Sequence, residues 1–598
     1  MVKGSTKSKQ ADDDSGDARQ DDSYQPAPEF TEDQDVEKIP RHHRIWRWYK
    51  NHKKVSIPLT ALALLVVVAS VPLTRFVIAG TVIKRNYSVK VVDRQNGKPV
   101  SSASVTLGGE SAKTDNKGVA TLKVKVGSTK VTVEKKYFKS ASLDTTVPIL
   151  KQKTIPEIKL EATGRQVPIT VIDKITRKPV ANARLVALGA EAKTDAKGQA
   201  ILVLPADKTQ VAATISATKY NKSEQSIRVT TDAVAENTIG LTPSGKIYFL
   251  SNATGTIDVI KSNLDGSARQ TVLAGTGKED RYSTVLLASR DWKYLALYSK
   301  RDGGNNAKIF LIDATNGDKV TTMDEGNASF QLVGWQDHRF VYQVNRTSLN
   351  QWDAKRQAIK SYNAEANQLT TLDETVAEPG SNPNQYFVQN FSDIYIIEGR
   401  VVYAVTWVGD NGAYGISSWG AGKYNVIRSV EPSGQGKKDN KIAPVHTAVY
   451  VSSNVYELNS VVFAYPVPKS SGYTFYEYED NDIKTISIEQ NDFFNATYAT
   501  HLLSPSGSKT LWSESRDGKN SVFIGDKGGF AGKQLLSQAN TAVFGWYTDN
   551  YVLISKDSSE LYIVPASELK AGQQPVKISD YYKPDYSIRG YGGGYGGL

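Results

Sequence analysis

The chain has 598 residues, 73 Lys plus Arg against 62 Asp plus Glu for a net charge of +11, and no cysteine. That length exceeds what one core can organise and predicts roughly three to five structural units. The absence of cysteine excludes disulfides, thiolate-bound zinc and thiol nucleophiles, while 31 Tyr, 2 Met and recurrent Thr/Val runs point to a mainly β chain.

Residues 1–54 read as a disordered tail, acidic at first and basic at its end. Next comes an apolar stretch, residues 55–83, interrupted by Arg75. Its length predicts a transmembrane signal anchor, and Arg44, Trp46, Arg47, Trp48, Tyr49, Lys53 and Lys54 before it are the expected membrane-interface residues. The excess of bases on that side places the N-terminus in the cytoplasm and everything after the anchor outside the cell membrane.

Beyond the anchor, two segments match at an offset of about 80 residues: 84–163 and 164–243. Val91-Val92-Asp93 corresponds to Val171-Ile172-Asp173, Lys98-Pro99-Val100 to Lys178-Pro179-Val180, and Thr114-Asp115-Asn116-Lys117-Gly118 to Thr194-Asp195-Ala196-Lys197-Gly198. Such self-similarity predicts tandem copies of one domain, with short strands alternating with polar turns. The pattern resembles the carboxypeptidase regulatory-like (transthyretin-like) β-sandwich, with the PEGA-type surface-layer sandwich as a second resemblance. Either implies a spacer or contact module without a catalytic centre. Asp115 and Asp195 read as turn caps, because one carboxylate per turn cannot supply the oxygen ligands calcium requires. Residues 81–165 carry about +10 of the net charge, which predicts attraction to anionic lipid or an acidic wall polymer.

From residue 244 to 588 the strands lengthen and aromatic positions recur. Leu287–Leu297 with Arg301-Asp302-Gly303 is echoed by Leu503–Trp512 with Arg516-Asp517-Gly518, and Gly334-Trp335 by Gly545-Trp546. These units resemble the blades of TolB-like and dipeptidyl-peptidase-type β-propellers, which implies roughly six to eight small sheets. The Gly/Ser/Asn-rich run 409–440 is expected to be an extended loop, and residues 589–598 a flexible Gly/Tyr tail.

The fold class expected is therefore mainly β: one N-terminal transmembrane helix, two tandem β-sandwiches and a C-terminal propeller. No catalytic constellation is legible. Gly415-Ile416-Ser417-Ser418-Trp419 fails as a nucleophile elbow, Gly434-Gln435-Gly436-Lys437-Lys438 fails as a phosphate loop, and His338, His446 and His501 stand alone. The sequence reading is thus a non-enzymatic binding or scaffold protein without metal or cofactor. Its partner is an envelope protein or wall glycan and not nucleic acid, and Trp407, Tyr414, Trp419 and Tyr424 are the candidate contacts. The alternatives are a single-pass signal transducer and a wall-glycan hydrolase or lyase hidden on the propeller.

Overall fold

A computed structural model describes residues 41–70, 83–230, 237–279, 283–303, 307–379, 386–410, 424–444, 450–453, 461–467, 471–490, 502–516, 519–526, 532–537, 541–557, 560–567, 569 and 573–580. The chain divides into two compact units, one of residues 1–83 with 125–127 and one holding the remainder. The tail up to residue 40, the anchor beyond Ser70 and the Gly/Tyr tail lie outside the described residues.

In the first unit the described elements are the helices Arg41–Asn51 and Lys53–Ser70. Trp46, Trp48 and Tyr49 are exposed, Lys50 lies over the Trp46 ring at 4.2 Å, and Trp48 stacks on His52. The second helix turns Val55, Ile57, Leu59, Leu62, Leu64, Val66 and Val67 to the outside. Among the described residues no helix is long and apolar enough to cross a membrane.

The second unit begins with two pairs of sheets. Strands Lys84–Asp93 and Glu157–Ala162 run parallel in one sheet, flanked by Val119–Lys125 and Phe138–Lys139. The facing sheet holds Glu110–Lys113, Ser104–Leu107, Gly127–Glu134 and Ala141–Val147. Eighty residues later the arrangement recurs, with Arg165–Asp173 parallel to Thr238–Leu241, and Gln199–Leu204 on its other side. Strand alternation drives it: Val119–Lys125 hides Ala120, Leu122 and Val124 and exposes the residues between, as a half-buried strand must. One core of Val, Leu, Ile and Ala side chains joins both sheets of the second pair.

The turn chemistry is duplicated as well. Asp115 Oδ1 accepts from the backbone N–H groups of Lys117 (2.8 Å) and Val119 (2.9 Å), and Asp195 Oδ1 does the same for Lys197 and Gln199. Thr114 Oγ1 donates to the Val100 carbonyl and accepts from the Ala103 N–H, as Thr194 does with Val180 and Ala183. Gly118 and Gly198 have φ of 75° and 72°, and a Cβ on either would lie 2.4 Å from the carbonyl oxygen of Val91 or Val171. Only glycine fits such a place.

Among the described residues of 247–580, the strands form seven successive antiparallel sheets, each built from consecutive strands, so this part of the chain is a β-propeller. The first sheet has three strands, Ile247–Ser251, Asp258–Ser262 and Gln270–Leu273, and the last has four, Thr541–Thr548, Tyr551–Lys556, Glu560–Pro565 and Val576–Asp580. Inner strands such as Ile247–Ser251 are buried on both faces because each sheet packs between neighbours, so they read as continuous apolar runs. Trp335 is a recurrent aromatic of the blades; it is buried, and its indole N–H donates to Leu287 O of the preceding sheet at 3.0 Å.

No strand is exchanged between the two ends of the ring in the described residues. Instead, Ile247, Phe249, Ile260 and Leu264 of the first sheet pack with Tyr547, Leu553, Leu561, Ile563 and Ile578 of the seventh. A Cβ at Gly266 would sit 1.9 Å from Ile578 O, so the seam is closed to backbone contact. The run 409–440 is corrected: Arg400–Asp410, Tyr424–Val430 and Lys438–Pro444 are strands of the fourth sheet, and their Gly and Asn residues fall largely between them.

Candidate functional site

Two equivalent turns join the successive parts of this unit. In the first, Asp93 Oδ1 accepts from the N–H groups of Gln95 and Asn96, while Oδ2 accepts from Gln166 Nε2 of the second sheet pair at 3.0 Å. In the second, Asp173 Oδ1 accepts from Ile175 (2.8 Å) and Thr176 (2.7 Å). Its Oδ2 accepts from the hydroxyls of Tyr220 (3.0 Å) and, in the propeller, Tyr551 (3.3 Å). One carboxylate thus shapes its own turn and fastens it to the neighbouring domain.

Around Asp173 the turn is inserted at the propeller seam. Ile175 is buried in the core shared by the first and seventh sheets, and its carbonyl accepts from Gln573 Nε2 at 2.7 Å. Lys174 Nζ reaches Asp265 Oδ2 at 2.7 Å, and Thr242 Oγ1 donates to the same oxygen. Burial alone would raise the Asp265 carboxyl, but hydrogen bonds from Lys174, Ser267 and Thr242 overcome it and hold it at about 2. Burial and Asp173 together push the Tyr220 phenol up to about 12.

The two sheet pairs also meet through a charged cluster. Lys113 Nζ and Arg184 Nε bind the two oxygens of Glu191 at 2.7 and 2.9 Å, and Lys135 Nζ donates to Ser101 O. Burial, with Lys113 nearby, lowers the Lys135 ammonium to about 8 despite Glu191. The Glu191 carboxyl is held at about 2, its bond from Arg184 being the leading cause.

Between propeller sheets a three-part clamp recurs. Tyr342 and Lys360, cross-strand partners in the third sheet, both bind Asp324 Oδ2 of the second, at 2.9 and 2.7 Å. Tyr403 and Arg428, cross-strand partners in the fourth sheet, bind Asp373 Oδ2 of the third at 2.7 and 2.6 Å, with Lys437 on Oδ1. A third instance pairs Tyr248 and Lys261 of the first sheet with Asp318 of the second. Sequence reasoning missed these clamps, although Thr321-Thr322-Met323-Asp324-Glu325 and Thr370-Thr371-Leu372-Asp373-Glu374 repeat in plain view. His338 stands alone in the sequence, yet its ring nitrogens lie 2.6 Å from Glu365 Oε1 and 2.9 Å from Asp291 Oδ2. Burial works to lower its pKa, but these two carboxylates prevail and raise it.

Two of the four candidate contact residues, Trp407 and Tyr424, lie in strands of the fourth sheet. Trp407 is half-buried on the strand Arg400–Asp410, opposite Gln389 on Tyr386–Ile397, and these are among the longest strands of the propeller. Tyr424 opens the next strand, opposite Pro444. Tyr414 and Trp419 lie outside the described residues. Of the interface residues, Trp46, Arg47, Trp48, Tyr49, Lys53 and Lys54 are exposed on the two helices, and Arg44 lies in the first. Among the described residues no group of three His, Asp or Glu side chains is placed to hold a metal ion.

No protein-family model matches the chain, and no curated protein matches it. Solved structures do align with it. The β-propeller domain of the trilobed protease from Pyrococcus furiosus is 12% identical, with 63% of this chain and 96% of that one covered at a TM-score of 0.29. An oligogalacturonate lyase in complex with manganese is 9% identical, with coverage of 56% and 85% and a TM-score of 0.30. The acylaminoacyl peptidase of Pyrococcus horikoshii is 12% identical, with 62% and 51% covered and a TM-score of 0.28. The expectation of a chain outside the enzymes is corrected by these neighbours, most of which are enzymes. Fold does not fix function, so the missing sequence motifs are no ground for excluding catalysis.

Proposed function

We propose that this is a single-pass envelope protein that displays its propeller on two tandem β-sandwiches to a protein or glycan partner. The observation that carries the reading is the repeated joint. Asp93 and Asp173 each fasten a turn to the next part of the chain, which suits a stalk that must hold its propeller in a fixed orientation. The apolar residues turned outward on Lys53–Ser70, with Trp46, Trp48 and Tyr49 before them, support an anchor continuing into residues 71–83. The fourth sheet, with Trp407 on its long strand pair, is the favoured partner-binding element.

The absence of native cysteine makes a direct test available. Single cysteines at Ser5 and Lys319 in the full chain would be challenged with a membrane-impermeant maleimide on intact cells. Labelling at Lys319→Cys alone supports the proposed orientation, and labelling at both or only at Ser5→Cys refutes it. Envelope glycans incubated with the same protein report cleavage, which would assign the propeller a reaction in place of a display role.

A further inference from the structure

Leu150 is the most exposed large hydrophobic residue among those described, at 76%. It lies on the segment 148–156, bracketed by Pro148 and Pro156, with Ile155 also exposed at 51%. Residues 145–156 contain Lys151 and Lys153 and no acid. Among the described residues neither lysine has an ion-pair partner, whereas the nearby Glu110 and Glu157 are taken by Lys84 and Lys90. The segment therefore combines bare apolar side chains with uncompensated positive charge.

Its backbone is held in place. Gln152 exchanges two hydrogen bonds with the Ser88 main chain, at 2.7 and 2.8 Å. Arg85 Nε donates to Ile149 O at 3.0 Å, and Lys90 N donates to Pro156 O at 2.9 Å. The segment is thus laid along Lys84–Asp93, with Leu150 beside the end at which the chain enters this strand. A fixed loop that presents Leu150 and Ile155 on either side of two lysines has no use for water around its apolar groups. The matching surface is a bilayer with anionic head groups, where aliphatic side chains insert and lysines remain among the phosphates.

We infer that residues 148–156 dock the first tandem unit onto an anionic membrane surface, through Leu150 and Ile155 with Lys151 and Lys153. The inference rests on the anchor proposed above and adds a second lipid contact. Docking would hold the base of the stalk against the bilayer and fix the direction in which the propeller is displayed.

The test uses the full chain reconstituted into vesicles of phosphatidylcholine with or without phosphatidylglycerol. An environment-sensitive fluorophore at Thr154→Cys is compared with one at Lys319→Cys. The expected result is a blue shift and quenching by head-group-level spin labels at 154 only, stronger in the anionic vesicles. Leu150→Asp should lower the docked-to-free ratio about tenfold. Reversing Lys151 and Lys153 to Glu should lower it at least about twentyfold, in anionic vesicles alone. A probe at 154 that stays in water while the protein resists alkaline extraction overturns the docking and leaves the anchor standing. Protein that alkali extracts from the vesicles overturns both.

Discussion

The hydroxyl of Tyr551, in the seventh propeller sheet, lies 3.3 Å from Oδ2 of Asp173, a residue 378 positions earlier that also caps the turn of the second tandem unit. The carboxylate is almost fully buried, so its four acceptor roles cannot be handed to water. Asp173→Ala should therefore cost about 3 kcal/mol, and Tyr551→Phe, which removes one long hydrogen bond, about 0.5–1 kcal/mol. Urea unfolding checks both values. Spin labels placed on either side of the joint should show a broadened distance distribution in Asp173→Ala.

Truncating Asp373 leaves the buried Tyr403 hydroxyl without its acceptor and Lys437 without its ion-pair partner, while Arg428 keeps its pairing with Asp439. Asp373→Ala should destabilise the propeller by about 2–3 kcal/mol. Burial works to raise the Asp373 carboxyl, but its bonds from Lys437, Tyr403 and Arg428 prevail and lower it. A lowered folded-state pKa means stability that is present above the unfolded value and is lost as pH falls through the folded one. Acid unfolding of the variant should lack that component, as read from urea midpoints between neutral pH and about pH 3.

Lys135 gives a dependence of the same sign in an alkaline window. Its ammonium is lowered from 10.5 to about 8, so between those values the unfolded chain holds the proton more tightly than the folded one. Stability should rise with pH across that window and stay flat just below it. Lys135→Met, which cannot titrate, should lack this rise when its thermal melts are compared with those of the unsubstituted protein across the same range.

The duplicated Thr-Asp-x-Lys-Gly turn was legible because its information is local. Thr114, Asp115 and Gly118 act within one turn, and a turn that admits only glycine leaves its mark on consecutive residues. Gly118→Ala should cost about 2 kcal/mol or more, since it adds a Cβ at positive φ against the Val91 carbonyl. A matching loss at Gly198→Ala in thermal melts would show that both copies rely on the same turn.

Other features were hidden because their partners are far apart in sequence. Asp373 meets Tyr403 30 residues on and Arg428 55 residues on, so only the repeated Thr-Thr-x-Asp-Glu hinted at the clamp. The fourth sheet was obscured by the Gly- and Asn-rich connections that flank Tyr424–Val430. His338 was opaque for the same reason, since Asp291 precedes it by 47 residues.

Display of the propeller to a partner through its fourth sheet would leave Trp407 within reach of photocrosslinking in the native envelope. A photoreactive phenylalanine analogue replaces Trp407 in the full chain, with Lys319 as the control position. The expected result is one adduct of defined mass from position 407 and none from 319. No adduct from 407, or the same adducts from both positions, would contradict it.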